Sequence, residues 1–194
     1  MILGITGISG SGKHSAARYL EQHGWKILDT DKIAHRLYRP YTYVWKDIVD
    51  LFGEEILSKN DLIDRQKLGA IVFDSANIEK ADNALFELGK IVHPAIKRNL
   101  KEAFYRQRKR KQSVAVISAL WKEVEFETIC EKVLLVTADS DIAMDRVKKR
   151  DGITDDQYRQ RVKNQSAMES ADFVIKNNGT LQAFYRTVNK KFLQ

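Results

Sequence analysis

The sequence predicts an α/β fold in which a parallel sheet is covered by helices on both sides, and three observations carry that reading. Short apolar runs at 2–6, 114–117 and 133–136 are rich in β-branched residues and do not alternate with polar ones. That is the pattern of strands buried on both faces. Helical stretches separate the runs. A glycine-rich turn also follows the first run at once, with four of the 10 glycines falling in the first twelve residues.

The elements follow in order. Residues 2–6 read as a strand, and 13–22 as a helix with Ala16, Ala17 and Leu20 on its inner face. A second strand at 25–28 runs into the acidic residues Asp29 and Asp31. From 31 to about 110 the chain reads as mostly helical, broken by Phe52-Gly53 and the polar stretch 58–61. Its 2 prolines, Pro40 and Pro94, mark expected helix starts. After the strands at 114–117 and 133–136 come helices at 141–150 and 154–165, divided by Asp151-Gly152, and a last strand at 173–175. The terminal helix carries Leu181, Phe184, Val188 and Phe192 as a core-facing stripe. No repeat, linker or composition break divides the 194 residues, so one domain is expected. The long helical excursion between the second and third strands predicts a substrate-binding insertion.

With 43% hydrophobic and 30% charged residues, the chain is not disordered. A net charge of +7 favours anionic partners (phosphorylated metabolites, nucleic acid or acidic membrane) without choosing among them. The single cysteine, Cys130, excludes an internal disulfide and a cysteine-based zinc cluster and suits a reducing compartment. The opening apolar run is too short for a signal-peptide core and no stretch is long enough to span a bilayer, so a cytoplasmic protein without membrane contact is expected. The basic run 106–111 closes a predicted helix with Ile96, Leu100 and Phe104 inside, where cations suit the negative helix end. It carries no stacking-aromatic pattern, and no nucleic-acid partner is expected. The cluster Tyr38, Tyr41, Tyr43 and Trp45 suits either a substrate region or packing.

The strongest local signal is Gly7-Ile8-Ser9-Gly10-Ser11-Gly12-Lys13, between the first strand and the first helix. It is the G-x-x-x-x-G-K core of a Walker A loop, which makes the fold a P-loop NTPase of three α/β/α layers. Glycines let the backbone curl so that successive N–H groups face a phosphate, and the helix N-terminus adds partial positive charge. Lys13 supplies a movable charge for the β- and γ-phosphates. Ser9 to Ser15 are thus the expected ATP-binding segment. A dinucleotide loop fits less well, because G-x-G-x-x-G would need glycine where Ser15 stands. Residue 14 departs from the pattern. Walker A continues with Ser or Thr, whose hydroxyl touches Mg²⁺, and here it is His14. Ser15 is turned about 100° away along the helix. An imidazole is a poor Mg²⁺ ligand, which leaves ATP oxygens, waters and a carboxylate to hold the ion.

Two carboxylates, Asp29 and Asp31, end the second strand, at the sheet edge where open parallel sheets bind ligands. A kinase acting on an alcohol needs a carboxylate to orient the hydroxyl and accept its proton. Asp29 and Asp31 share a face if the strand continues and separate if it turns at Thr30. Either also suits the cap of a helix starting at Lys32.

From end to end the sequence resembles the dephospho-CoA kinases. The phosphate loop, Asp29-Thr30-Asp31-Lys32-Ile33-Ala34, Phe52-Gly53, Ile63-Asp64-Arg65 and Leu68, then Val72-Phe73 and His93-Pro94-Ala95-Ile96 follow the family's order. So do Arg150-Asp151-Gly152, Arg161 to Gln165 and the closing stretch 171–179. The resemblance implies phosphorylation of the ribose 3′-hydroxyl of dephospho-CoA by ATP, the last step of CoA synthesis, with Mg²⁺. It also implies a core at about 1–30, 112–140 and 166–194, a helical CoA-binding region at about 31–111 and a mobile lid at about 141–165. By position Asp31 is the implied base, with Asp29 more structural. Arg150 and Arg161 are lid cations, and Asn177, Asn178 and Gly179 pass the adenine. His93 either lines the CoA pocket or bonds backbone at a helix start before Pro94. Arg65 either touches a substrate phosphate or joins a surface ion pair. One further departure stands beside His14. Many relatives carry an acid and then Pro-Leu-Leu after the third strand, where this chain has Ser118-Ala119-Leu120-Trp121 and then Glu123. Two Mg²⁺-linked groups are therefore altered. Another small-molecule kinase and a non-catalytic nucleotide-binding relative stand as the competing readings.

Overall fold

The computed structural model describes residues 1–74, 76–118, 128–163, 165 and 171–194. Along the chain run β1 (Ile2–Thr6), α1 (Lys13–Gln22), β2 (Lys26–Asp29), α2 (Thr30–Leu37), α3 (Tyr43–Phe52), a 3-10 turn (Glu54–Ile56), α4 (Arg65–Val72) and α5 (Ile78–Lys109). They are followed by β3 (Val114–Ile117), β4 (Lys132–Thr137), α6 (Ser140–Asp151), α7 (Asp155–Lys163), β5 (Phe173–Lys176) and α8 (Leu181–Phe192). The chain divides into two compact units, Met1–Thr30 with Lys101–Gln194, and Asp31–Leu100.

The first unit holds a five-stranded sheet of order β2-β3-β1-β4-β5, with every pairing parallel. All of β1 and β3 is buried, as the unbroken apolar runs require. Leu3, Ile5, Ala115, Ile117, Leu134 and Val136 point to one core cluster, where α1 contributes Ala16, Ala17 and Leu20 and α8 contributes Phe184 and Val188. Each fully buried Leu or Ile contributes about 1.5–3 kcal/mol by leaving water. A smaller cluster of Ala143, Val147 and Tyr158 joins α6 to α7. Gly152, with φ 67, ends α6 in the left-handed conformation that glycine tolerates. A reciprocal cap opens α7: Thr154 N–H donates to Gln157 Oε1 at 2.9 Å, and Gln157 N–H to Thr154 Oγ1 at 3.3 Å.

The second unit is helical. Thr42 caps α3 by accepting from the Trp45 N–H, and Asp64 caps α4 by accepting from the N–H groups of Gln66 and Lys67. Between them Leu57 bridges Ile63 around the polar turn at 58–61.

Two expected helix starts are corrected. Pro94 lies inside α5, which begins at Ile78, and Pro40 precedes a helix capped by Thr42. Pro94 leaves the Lys90 carbonyl without its helical N–H partner, a cost of about 3 kcal/mol. The ring is exposed, so water can reach that carbonyl, while Val92, Ala95 and Ile96 around it are buried and hold the helix together. Leu181 leaves the expected stripe: as the first residue of α8 it is 53% exposed, and the buried face begins at Phe184. Among the described residues, no helix is long and apolar enough to cross a membrane.

Candidate active site

The sheet places the phosphate loop where its strand order reverses. After β1 the chain crosses through α1 to β2 on one side, and after β4 it moves to β5 on the other. The crevice above the carboxyl ends of β1 and β4 is the ligand position of an open parallel sheet. Loop residues 7–12 fill that edge.

Close neighbours explain the loop's glycines. A Cβ on Gly10, at φ 86, would stand 2.2 Å from the Ala143 carbonyl oxygen in α6. One on Gly12, at φ 106, would stand 2.2 Å from Asn177 Nδ2 after β5. No other residue fits either place without moving backbone or the amide. Gly12 also caps α1 with no side-chain hydrogen bond, so no side chain competes for the N–H groups that open the helix. Lys13 is 7% exposed, with Nζ 3.4 Å from the Ile8 carbonyl oxygen. Ser11 N–H also donates to Ile8 O, at 3.1 Å, and its buried Oγ has no hydrogen-bond partner among the described residues.

Side chains from three elements brace the loop. Asn177 Nδ2 donates to Ser11 O at 2.8 Å, and Arg146 Nη1 donates to Asn177 O at 2.9 Å and to Gly10 O at 3.4 Å. Ser9 N–H donates to Gln165 Oε1 at 2.8 Å, and Gln165 Nε2 returns a bond to Ser9 Oγ at 3.1 Å. Tyr158 Oη donates to Ser9 O at 3.3 Å, and burial pushes that phenol's pKa up. Asn178 pins the neighbouring turn instead, accepting from Asp139 N–H at 2.9 Å, with Gly179 exposed beside it.

The two expected lid cations come together on one carboxylate. Arg150 grips Asp151 with Nε to Oδ1 at 2.6 Å and Nη2 to Oδ2 at 2.8 Å, and Arg161 Nη1 reaches Oδ2 at 2.5 Å. Hydrogen bonds first from Arg150 and then from Arg161 hold the Asp151 carboxyl well below the usual carboxylate range.

At the neighbouring strand ends, β2 stops at Asp29 and α2 starts at Thr30. The strand does not continue, so Asp31 stands in the first turn of α2 and does not precede a helix beginning at Lys32. His14 Nε2 lies 3.6 Å from Asp29 Oδ2, with the Asp29 side chain 11% exposed. The Thr30 hydroxyl lies 3.1 Å from both Ile117 O and Ser118 Oγ, donating to either. Ser15 is half-buried in α1. A Mg²⁺ site built on oxygen fits this donor set poorly: an imidazole stands where the phosphate loop otherwise has a hydroxyl, and at the end of β3 the neighbouring side chain is a buried, uncharged serine. Among the described residues, no group of three or more His, Cys, Asp or Glu side chains could hold a metal. Residues 119–121 and Glu123 lie outside the described residues.

In the second unit, Arg65 is the exposed first residue of α4. Burial raises the Tyr38 phenol's pKa, and the Arg65 charge offsets only part of that rise. His93 stands about four turns inside α5, half-buried over Gly89, where a Cβ would lie 2.9 Å from its Cε1. That removes the helix-start reading of His93. Tyr41 is 80% exposed and donates to Asp61 Oδ2 at 2.7 Å, so it is no core residue.

Sequence reasoning singled out the loop and the two arginines but not the groups that hold them in place, Arg146, Asp151 and the amide of Asn177. Arg146 could have been found, since it lies one helical turn before Arg150 on α6.

The family profile of dephospho-CoA kinase (CoaE) matches residues 1–183. The dephospho-CoA kinase of Shouchella clausii is 34% identical over 194 residues, covering 97% of this chain and 95% of its own. Among solved structures, TT1252 from Thermus thermophilus superposes with a TM-score of 0.79 at 28% identity, over 98% of this chain and 95% of that one. The dephospho-CoA kinase from Campylobacter jejuni gives 0.70 at 25%, over 97% and 94%.

Proposed function

The chain belongs to the dephospho-CoA kinase family, and on that premise we propose that it transfers the γ-phosphoryl group of ATP to the ribose 3′-hydroxyl of dephospho-CoA, giving CoA and ADP. The observation that carries the reading is the phosphate loop: glycines forced by contact, a buried lysine and a helix start free of side-chain caps, at the sheet's switch point.

Each residue's role follows from its chemistry. Loop N–H groups and the start of α1 bind the triphosphate, and Lys13 exchanges its contact with Ile8 O for phosphate oxygens. Asp31 orients the ribose hydroxyl and takes its proton as the new O–P bond forms and the bond to the β-phosphate oxygen breaks. Arg150 and Arg161 neutralise charge on the phosphoryl group in transit, and the α6–α7 segment acts as the lid that keeps water out. Arg65 and His93 contribute to the dephospho-CoA side, and Asn178 and Gly179 to the adenine side. Mg²⁺, the ion usual for ATP, would neutralise phosphate charge when bound, but the side chains at 14 and 118 suit it poorly. A soluble metabolite kinase with one cysteine suits the cytoplasm.

The test is ADP release from purified protein with ATP and a divalent cation, with and without dephospho-CoA, and with CoA identified as product. Release that requires dephospho-CoA supports the assignment. ATP binding without release favours the second reading, a non-catalytic nucleotide-binding relative, which His14 and Ser118 motivate.

A further inference from the structure

We propose that His14 and Asp29 are the protein ligands of a divalent-cation site that takes a first-row transition ion such as Mn²⁺ in preference to Mg²⁺, completed by phosphate oxygens of the bound nucleotide. The inference rests on the P-loop kinase reading and concerns which ion that site uses.

Position is the first argument. His14 is the second residue of α1, directly after the loop lysine, where the phosphate loop otherwise presents a metal-binding hydroxyl. Its ring turns toward β2, and Nε2 comes within 3.6 Å of Asp29 Oδ2. That separation is less than two metal–ligand bonds of about 2.1 Å each, so a single ion can touch both atoms. Asp29 is fixed by the sheet, paired in register with Ile117, while the His14 side chain stays 53% exposed and open to an arriving nucleotide.

Donor chemistry is the second argument. Mg²⁺ takes oxygen in a near-ideal octahedron, and an imidazole offers it little. One imidazole nitrogen beside carboxylate and phosphate oxygens is a mixed set, which first-row divalent ions accept with an affinity that rises along their series. At the end of β3, Ser118 is 2% exposed and its Oγ accepts from Thr30, so it offers no charge there. Asp29 offers a carboxylate at this sheet edge, and the nitrogen beside it sets the preference.

The probe is Mn²⁺ with a non-hydrolysable ATP analogue on the intact protein, read by electron spin echo envelope modulation. Modulation from a directly bound imidazole ¹⁴N is expected. His14→Ser should abolish that modulation while leaving analogue binding measurable, and Asp29→Asn should weaken Mn²⁺ retention. Mg²⁺ competition should require about a tenfold or greater excess over Mn²⁺ in the native protein, and His14→Ser should remove that advantage. A bound analogue whose Mn²⁺ shows no nitrogen modulation, or equal competition by Mg²⁺, overturns the site and leaves His14–Asp29 as an ion pair. Failure of the analogue to bind at all overturns the P-loop reading with it, which separates the two failures.

Discussion

The phosphate loop and the α6–α7 segment, which the proposed function sets against the same phosphate charge, are built of opposite materials. The loop uses backbone: its N–H groups are permanent donors, and the chain path that aims them is locked by contacts 2.2 Å from where a Cβ would stand. The α6–α7 segment uses side chains, and Arg150 and Arg161 spend their hydrogen bonds on Asp151. A backbone site is therefore preformed, whereas a side-chain site must exchange an internal carboxylate for a phosphate before it acts. On the proposed function, binding energy would belong mainly to the first and charge neutralisation timed to transfer to the second.

The largest expected effect tests the loop. Lys13→Ala should lower turnover by about 10³–10⁵-fold, the scale of a cation placed on a transferring phosphoryl group. The lysine packs at the loop rather than in the apolar core, so circular dichroism and the melting temperature should stay near the parent's. Near-normal turnover would remove the loop from the chemistry. Asp31→Asn comes next, at about 10²–10⁴-fold in kcat, with nucleotide affinity unchanged, because an amide keeps the shape and loses the proton acceptor. If affinity falls and kcat does not, the base is elsewhere.

The same contrast explains what was legible. Strands β1 and β3 and helix α1 stand where the residue pattern put them, because apolar runs and glycine spacing are local consequences of burial and turn geometry. Lys13 and the loop glycines were readable for that reason, since few backbone paths tolerate so many glycines without needing them. The pairing of Asp151 with two arginines was not, because a charge's partner depends on tertiary placement. Pro94 misled in the same way: a local rule places proline at helix starts, and the buried residues flanking it overrode that rule. The roles of Asp31, Arg65 and His93 came from resemblance to a family and not from spacing.

Asp151→Asn sharpens the comparison on the side-chain half. The two guanidinium groups hold its carboxyl well below the usual carboxylate range, so in the folded chain it stays ionised down through that range. The fork holds from about pH 5 upward and weakens only as pH falls through the lowered value. Removing the charge releases both arginines to phosphate. The KM for ATP should fall by about 3–10-fold, as two exposed ion pairs no longer compete. That fall should shrink as salt rises, and it should be constant between about pH 5 and 8. An unchanged or higher KM would mean that Asp151 positions the arginines for ATP and does not occupy them.

The smallest effect tests the seam between the two regions. Gln165 joins them by taking the Ser9 N–H at 2.8 Å and returning a bond to Ser9 Oγ at 3.1 Å. One net hydrogen bond of about 0.5–1.5 kcal/mol corresponds to roughly a 2–10-fold change. Gln165→Ala should raise the KM for ATP within that range, because the loop loses one brace while Asn177 and Arg146 keep theirs. The value of kcat should hold, since no contact to the reacting atoms is removed. A fall in kcat with KM unchanged would show instead that Gln165 couples lid closure to the loop, and the two regions would then act as one device.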